Sequence, residues 1–472
     1  MTETLFAPSL DPAAATPLHQ QLLQRLREAI LTSQLSAGER LPSSRSMATR
    51  LNVSRNTVLA AYEQLAAEGY LESRKGAGTY VTADLPDNYL EAGSPDETAS
   101  REPVRSPDRP LSGMPALDQF PFGLWGRLAG SVWRHGDVSH LQYNDPAGYY
   151  PLRRAVVTYL QAARGVAATP DQVMIVSGLQ QGLRIVAESV IAPDRALIME
   201  DPGYPGLLHS ARTLPHPLCF TGIDAMGAKV PMLGKQQAGM LTISPSRQYP
   251  LGMTMPLSRR LDLLEWARTN QCLILEDDYD SEFRYAGRPL QSLQGLDGGR
   301  QVIYGGSFSK ALFLSLRLGY LVLPPDLAGP VIRHRARTEA FPAISSQLVL
   351  TRFIEEGHFA RHLRRLRAVH KARLAVFIAE ANRSLARYFD FEATDAGLHV
   401  VAFAKPTLEM LSDKSLAGMA HAANIGAVPL SATFTHAPAR QGLLFGFANM
   451  DEREIGNRLN SLAQSIAAES GF

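Results

Sequence analysis

Residues 302–310 read Val302-Ile303-Tyr304-Gly305-Gly306-Ser307-Phe308-Ser309-Lys310. An apolar, strand-like run gives way to glycines and serines, and a lysine follows on the turn. The same grammar recurs on either side in VMIVSG (173–178), ALIMED (196–201), GMLTIS (239–244), CLILEDD (272–278) and GYLVL (319–323). These runs alternate with amphipathic helical patterns, and most of them lack polar alternation. They predict strands covered on both faces, and so a mostly parallel α/β sheet. In such sheets ligands gather at the loops beyond the strand ends, which is where the unusual residues of this chain lie.

Lys310 is the first of them. A lysine on such a turn forms an imine with an aldehyde when its surroundings leave the amine partly deprotonated. Ser307, Ser309 and the downstream Arg317 offer two hydroxyls and a guanidinium at a spacing suited to one phosphate group. After the run CLIL comes Glu276-Asp277-Asp278-Tyr279-Asp280. Alternation across the strand end puts Asp277 and Tyr279 on one side. A buried carboxylate there can keep a pyridinium nitrogen protonated, and the tyrosine hydroxyl can bond a phenolic oxygen. Taken alone, the acid cluster suits Mg²⁺ equally well. Together Asp277, Tyr279 and Lys310 favour pyridoxal phosphate, whose ring nitrogen, 3′-oxygen and aldehyde need these three partners, and no metal is expected. Gly178 and Leu179, in Ser177-Gly178-Leu179-Gln180-Gln181-Gly182, place small residues and helix-terminal N–H groups where a phosphate can sit. Tyr204, in Asp201-Pro202-Gly203-Tyr204-Pro205, brings a ring that stacks on the pyridine or simply packs.

The amino-terminal region follows a different pattern. Leu18, Leu22, Leu26, Ala29 and Ile30 recur at helical spacing. A second helix, Arg45 to Leu51, opens on Pro42-Ser43-Ser44, and a third, Arg55 to Glu68, follows the Asn52-Val53-Ser54 turn and cap. Two short strands bracket Arg74-Lys75-Gly76-Ala77-Gly78. This is a winged helix-turn-helix pattern. Arg55, Asn56 and Thr57 begin the recognition helix, where Arg forks onto guanine and Asn onto adenine. Ser43, Ser44, Ser54, Arg45, Arg74 and Lys75 are candidate backbone contacts, with Gly76 at a wing tip that approaches the minor groove. The alternative is a protein-interaction module with solvated arginines.

Composition sets the limits. The whole chain carries 47 Lys+Arg against 45 Asp+Glu, so any nucleic-acid site must be local. Two cysteines, Cys219 and Cys272, exclude a disulfide framework and suit a reducing cytoplasm. No apolar run spans a bilayer and no leader pattern opens the chain. Residues 14–82 form the DNA-binding domain in this reading and 113–472 the effector domain. Between them, 83–112 is rich in Pro, Ser, Asp and Glu, a composition that predicts a flexible linker.

Residues 17–82 resemble the DNA-binding domain of GntR-type regulators, through GERLPSSRSMA, SRNTVLAAYEQLAAEGYL and GAGTYV. From about Tyr143 onward the chain resembles fold-type-I aminotransferases, through YNDPAGYYPLRRAV, SPSRQYPLG, EDDYDSEFRY and GSFSKALFLSLRLGY. The combination is that of the MocR/GabR subfamily. The resemblance implies Lys310 as Schiff-base lysine, Asp277 as pyridinium partner, Tyr279 as 3′-oxygen partner and Tyr204 as stacking ring. Ser307, Ser309, Arg317 and the backbone of Gly178 and Leu179 would hold the phosphate. It further implies double-stranded operator DNA as partner and a head-to-tail homodimer.

Two positions break the pattern. Leu444 stands where an aminotransferase-like segment carries the arginine that binds a ligand carboxylate, and Gly206 where the GABA sensor has a second arginine. Leucine cannot replace a bidentate guanidinium. Either the effector is pyridoxal phosphate itself, or Arg247 or Arg440 supplies the charge for an amino compound. Efficient transamination is not expected, although a working aminotransferase with an accessory DNA-binding segment is the rival reading. A basic stretch, 361–373, predicts a helix with Leu363, Leu366 and Val369 inward. It is either a solvated helix of the domain or a contact for bent DNA.

Overall fold

The computed structural model describes residues 10–12, 14, 16–74, 77–83, 112–287, 291–392, 394–436 and 440–470. The chain divides into two compact units, Met1–Ser106 and Pro107–Phe472. Apart from its two end residues, the predicted linker 83–112 lies outside the described residues, as do Lys75 and Gly76.

The first unit contains α1 (Leu18–Leu31), α2 (Ser44–Leu51), α3 (Arg55–Ala67), β1 (Leu71–Arg74) and β2 (Gly78–Val81). Helix α1 buries Leu22, Leu26, Ala29 and Ile30 against Val58, Ala61, Tyr62 and Leu65 of α3. Each fully buried aliphatic or aromatic side chain contributes about 1.5–3 kcal/mol, so this seam outweighs the weak propensities of two short helices. Ser43 caps α2 by accepting from Ser46 N–H at 3.2 Å, and Ser54 caps α3 by accepting from Thr57 N–H at 3.1 Å. Strands β1 and β2 form the predicted hairpin, with Leu71 opposite Val81. The stretch before α2 joins them, Leu41 N–H donating to Thr79 O and Val81 N–H to Glu39 O, each at 2.9 Å.

The second unit is built on an eight-stranded sheet. Its strands are β3 (Val173–Val176), β4 (Ala196–Asp201), β5 (Leu218–Asp224), β6 (Gly227–Ala228), β7 (Ala238–Ile243), β8 (Leu273–Asp278), β9 (Val302–Ser307) and β10 (Gly319–Val322). Their order is β3-β10-β9-β8-β7-β4-β5-β6, and the central pairs β9-β8-β7-β4-β5 are all parallel. Strand β10 runs antiparallel to both of its neighbours. Its insertion brings the start of β10 beside the ends of β3 and β9. Four further strands, β11 (Phe389–Phe391), β12 (His399–Ala404), β13 (Gly426–Pro429) and β14 (Gly442–Gly446), form an antiparallel sheet in the order β11-β12-β14-β13.

The helices of this unit are α4 (Phe122–Arg134), α5 (Tyr150–Arg164), α6 (Leu179–Val190), α7 (Pro205–Arg212), α8 (Leu257–Thr269), α9 (Leu293–Asp297), α10 (Pro325–Thr338), α11 (Ser345–Glu355), α12 (His358–Ser384), α13 (Asp413–Ala422) and α14 (Glu452–Ser470). One apolar cluster, with Val186, Leu207, Leu275 and Leu321, joins the sheet to α6 and α7. A larger one carries Leu160, Tyr304, Phe353 and Phe377 and extends into the second sheet through Phe445. No helix among the described residues is long and apolar enough to cross a membrane.

The basic stretch 361–373 lies within α12, and much of its charge is used inside the fold. Arg373 is buried and donates to Asp118 at 2.7 Å and to Ala448 O at 2.7 Å. Arg365 reaches Gln119 O and Arg367 reaches Glu282 O, both at 2.5 Å. Leu363 and Leu366 point inward as predicted, with Val369 half-buried. These bonds tie α12 to the segment before α4 and to Glu282 and Ala448, and favour the structural reading of its arginines.

Candidate functional site

Lys310 follows β9, and its Nζ donates to Gly113 O at 2.8 Å. Burial pushes its amine below the usual lysine range, while Asp280 and Asp277 pull the other way. Asp277 sits on the neighbouring strand, in register with Gly305. It is buried, and among the described residues none donates a hydrogen bond to it or pairs with it as an ion. Burial pushes its carboxyl up to about 8, reinforced by Asp278 and Asp280 and opposed by Lys310. A buried acid without a partner is costly, and a cation brought beside it would relieve that cost.

The rest of the acid motif diverges. Glu276 accepts from the first N–H groups of α9, at Leu293 and Gln294, both at 2.9 Å. Asp278 is ion-paired with Arg164 at 2.8 Å and accepts from the Tyr304 hydroxyl. Asp280 takes Arg247 at 3.2 Å, and the same guanidinium nitrogen donates to the Tyr279 hydroxyl at 3.1 Å. Among the described residues no three His, Cys, Asp or Glu side chains are grouped to hold an ion.

Three strands assemble the anion-binding corner. Gly319 pairs with Val176 on one side and Ser307 on the other, so Arg317, just before β10, lies beyond the ends of β3 and β9. Arg317 holds a left-handed backbone at φ 50°, an uncommon conformation for a residue with a side chain. A Cβ on Gly178 (φ 153°) would come 3.6 Å from the Arg317 guanidinium. Gly178 caps α6, whose first residue, Leu179, lies against β9. A Cβ on Gly305 would come 2.3 Å from Leu179, and one on Gly306 2.4 Å from Tyr320. The two glycines therefore let α6 and β10 close on β9. Ser309 N–H donates to Ser307 Oγ at 3.1 Å, which folds the turn toward Lys310.

Tyr204 caps α7 and is 44% exposed. Its ring lies over Gly206, where a Cβ would come within 2.7 Å of it. Tyr249, absent from the predicted set, packs edge-on between Tyr204 at 5.6 Å and Tyr279 at 5.9 Å. Its place in SPSRQYPLG was the available signal. Gly113, the acceptor for Lys310, left no sequence signal, since the two are 197 positions apart.

On the winged helix, Ser43, Arg45, Ser54, Arg55 and Asn56 are exposed, and Ser44 and Thr57 are half-buried. Arg55 Nε donates to Ser44 Oγ at 3.3 Å, so the starts of α2 and α3 present one surface. Arg74 is held within its hairpin, donating to Glu72 at 2.6 Å and lying 4.6 Å over the Tyr80 ring.

Residues 18–81 match the family of bacterial regulatory proteins described as gntR. The chain is 38% identical over 477 residues to the "Probable rhizopine catabolism regulatory protein MocR" of Rhizobium meliloti, covering 97% of this chain and 96% of that one. The chain belongs to the MocR-type GntR regulators. This MocR-type chain is also 30% identical to the pyridoxine biosynthesis transcriptional regulator PdxR of Corynebacterium glutamicum, over 97% of this chain and 98% of that one. Its fold is similar to that of LysN, an α-aminoadipate aminotransferase from Thermus thermophilus, with TM-score 0.68 and 24% identity over 76% of this chain and 91% of that one. The protein is a DNA-binding transcriptional regulator that carries an aminotransferase-like domain.

In this MocR-type regulator the departures from the aminotransferase pattern have a structural setting. Leu444 lies on β14, buried in an apolar cluster with Val401 and Leu430 against which Tyr249 packs. An arginine there would sit in an apolar wall. Arg440 does not take its place: it is half-exposed, ion-paired to Asp390 at 2.9 Å and stacked on Phe403 at 4.5 Å. Arg247 is close to the cofactor-type residues but is held by Asp280, by the Tyr279 hydroxyl and by His399 O at 3.1 Å.

Proposed function

We propose that this regulator binds operator DNA through residues 14–82 and that residues 113–472 hold pyridoxal phosphate as the sensing group, with 83–112 as the linker. The observation that carries the reading is Asp277, a buried carboxylate with no hydrogen-bond or ion-pair partner among the described residues, on the strand beside the one that leads to the half-buried Lys310. The donor set fits the cofactor. Bound pyridoxal phosphate supplies an aldehyde that captures an amine and a ring that stabilises negative charge. Lys310 is the amine that joins the aldehyde, and its lowered basicity leaves more of it neutral and nucleophilic. Asp277 keeps the ring nitrogen protonated, Tyr279 donates to the 3′-oxygen and Tyr204 covers the ring. Ser307, Ser309, Arg317 and the N–H groups at Gly178 and Leu179 hold the phosphate.

On DNA, Arg55, Asn56 and Thr57 read base edges. Ser43, Ser44, Ser54, Arg45, Arg74, Lys75 and Gly76 contact the backbone and wing groove. The regulator works in the cytoplasm as a head-to-tail homodimer. Ligand binding shifts the two effector domains and changes promoter occupancy. With Leu444 in the carboxylate-anchor position, the ligand is the cofactor itself or a small amino compound.

Footprinting on the DNA upstream of the protein's own gene, with and without pyridoxal phosphate, tests this. Protection is expected to change with the cofactor, and Lys310→Ala is expected to keep DNA binding while losing both that response and an absorption band near the violet edge of the visible range. Unchanged protection together with no such band would overturn the proposal. Turnover of an amino donor and a keto acid at about 1 s⁻¹ or faster would make the protein an enzyme first.

A further inference from the structure

A small cavity, about 20 Å³ in volume, lies at the junction of the two sheets of the effector unit. Arg164, Arg247, Arg284, Ser246, Ser281 and Asp280 line it, and Ala396 closes it from the side of the second sheet. The junction is fixed by backbone pairing. Arg284 and Ala396 form an isolated antiparallel bridge, Tyr285 N–H donates to Asp395 O at 2.7 Å, and Gly397 N–H donates to Phe283 O at 2.8 Å.

Three guanidinium groups face this small space, against one carboxylate in its wall. Arg164 is neutralised by Asp278 and donates to Ser246 Oγ at 2.5 Å. Arg247, 4% exposed, is paired with Asp280, yet its buried Nε has no acceptor. Among the described residues the buried Nε of Arg284 has no acceptor either, and its ion-pair partner, Asp395, is 3.9 Å away. Unsatisfied buried donors are uncommon and costly. Two on guanidinium groups that line one cavity, with two serines in the same wall, call for an oxygen-rich anion.

We propose that this cavity is a binding site for a small oxyanion, a carboxylate or a phosphate-type group, held by Arg284 and Arg247 with Ser246 and Ser281. It is separate from the corner formed by Ser307, Ser309 and Arg317. Arg247 makes it a coupled site. The same guanidinium donates to the Tyr279 hydroxyl, so an anion that draws Arg247 toward the cavity alters the donor beside the cofactor-type residues. The anion also bridges the two sheets at the Arg284–Ala396 contact, so occupancy favours one arrangement of that junction. An effector carboxylate can thus be recognised without an arginine at 444.

Calorimetric titration of the full chain with sulfate and with succinate tests the site and distinguishes a phosphate-like from a carboxylate ligand. Saturable binding of one of them is expected, weakened at least tenfold by Arg284→Gln and by Ser281→Asp, and retained in Arg317→Gln and Lys310→Ala. The Ser281→Asp variant places a repelling charge in the cavity without removing a guanidinium. It keeps the test informative if Arg284→Gln fails to fold. Binding lost in Arg317→Gln but unchanged in the two cavity variants would assign the anion to the other corner and overturn the proposal, as would no saturable binding of either anion. Binding that persists in Lys310→Ala separates this site from the cofactor reading, which can fail without it.

Discussion

At the start of α3, Arg55 and Asn56 stand in solvent, and Arg55 makes one long bond to Ser44 at 3.3 Å. At the end of β8, Asp277 and its neighbours are enclosed, and every acid but Asp277 already has a partner. The two regions are prepared for different ligands. DNA is a polyanion whose counterions are released on binding, so its reader can keep polar groups hydrated until contact. A small ligand offers little area to offset ordering, so its pocket is ordered in advance by the surrounding core. Substitutions on the exposed face should therefore change affinity with little effect on stability, whereas those in the enclosed cluster should change both.

The largest expected effect lies in the enclosed region. With a folded value of about 8 against about 3.9 for a free aspartate, Asp277 holds a proton in the folded protein that the unfolded chain has released. Stability of the cofactor-free protein is therefore highest below about pH 4 as far as Asp277 is concerned. It is lost as pH rises toward 8, at no more than about 1.4 kcal/mol per pH unit. Urea unfolding between pH 5 and pH 8 should show Asp277→Asn losing clearly less stability than the parent. Equal slopes would mean that Asp277 is not an unpaired buried acid.

On the exposed face, Arg55→Ala should weaken specific operator binding by about 1–3 kcal/mol, roughly five- to 150-fold, with the midpoint of unfolding unchanged. A matching loss on unrelated DNA would make Arg55 a phosphate contact, and no loss would remove it from the interface. The smallest effect belongs to the frame behind that face. Ser54→Ala deletes the α3 cap and should cost about 1 kcal/mol, measured as a lower denaturation midpoint of the DNA-binding unit. No shift would mean that the apolar seam with α1 sets the start of α3 without the cap.

Much of this was legible beforehand. The six quoted apolar runs became β3, β4, β7, β8, β9 and β10 to within two residues at either end, because strands buried on both faces are mostly apolar. Strand β5, with Thr221 and Asp224 among its residues, carries no such run, and the apolar runs of β12 (HVVAFA) and β14 (GLLFG) belong to the separate antiparallel sheet. The antiparallel course of β10 was hidden, since a buried run reads the same in both directions. Of the candidate site, Lys310, Asp277, Tyr279, Ser307, Ser309 and Arg317 could be picked out because each is a chemically odd residue at or near the end of an apolar run. Tyr249 was missed although its motif was quoted, and Gly113 and His399 left no signal, because what matters in them is position rather than type.

By itself, the sequence determined the two kinds of unit and the chemistry available at the strand ends. Periodicity and residue type are local properties, written within a few positions of one another. Only the tertiary structure decided which carboxylate is left without a partner, that Arg440 is held at the surface by Asp390, and that Arg164, Arg247 and Arg284 meet around one cavity. Each of those outcomes depends on groups far apart in the chain, and burial, which sets the strength of a charge and the need for a partner, exists only once the chain has folded.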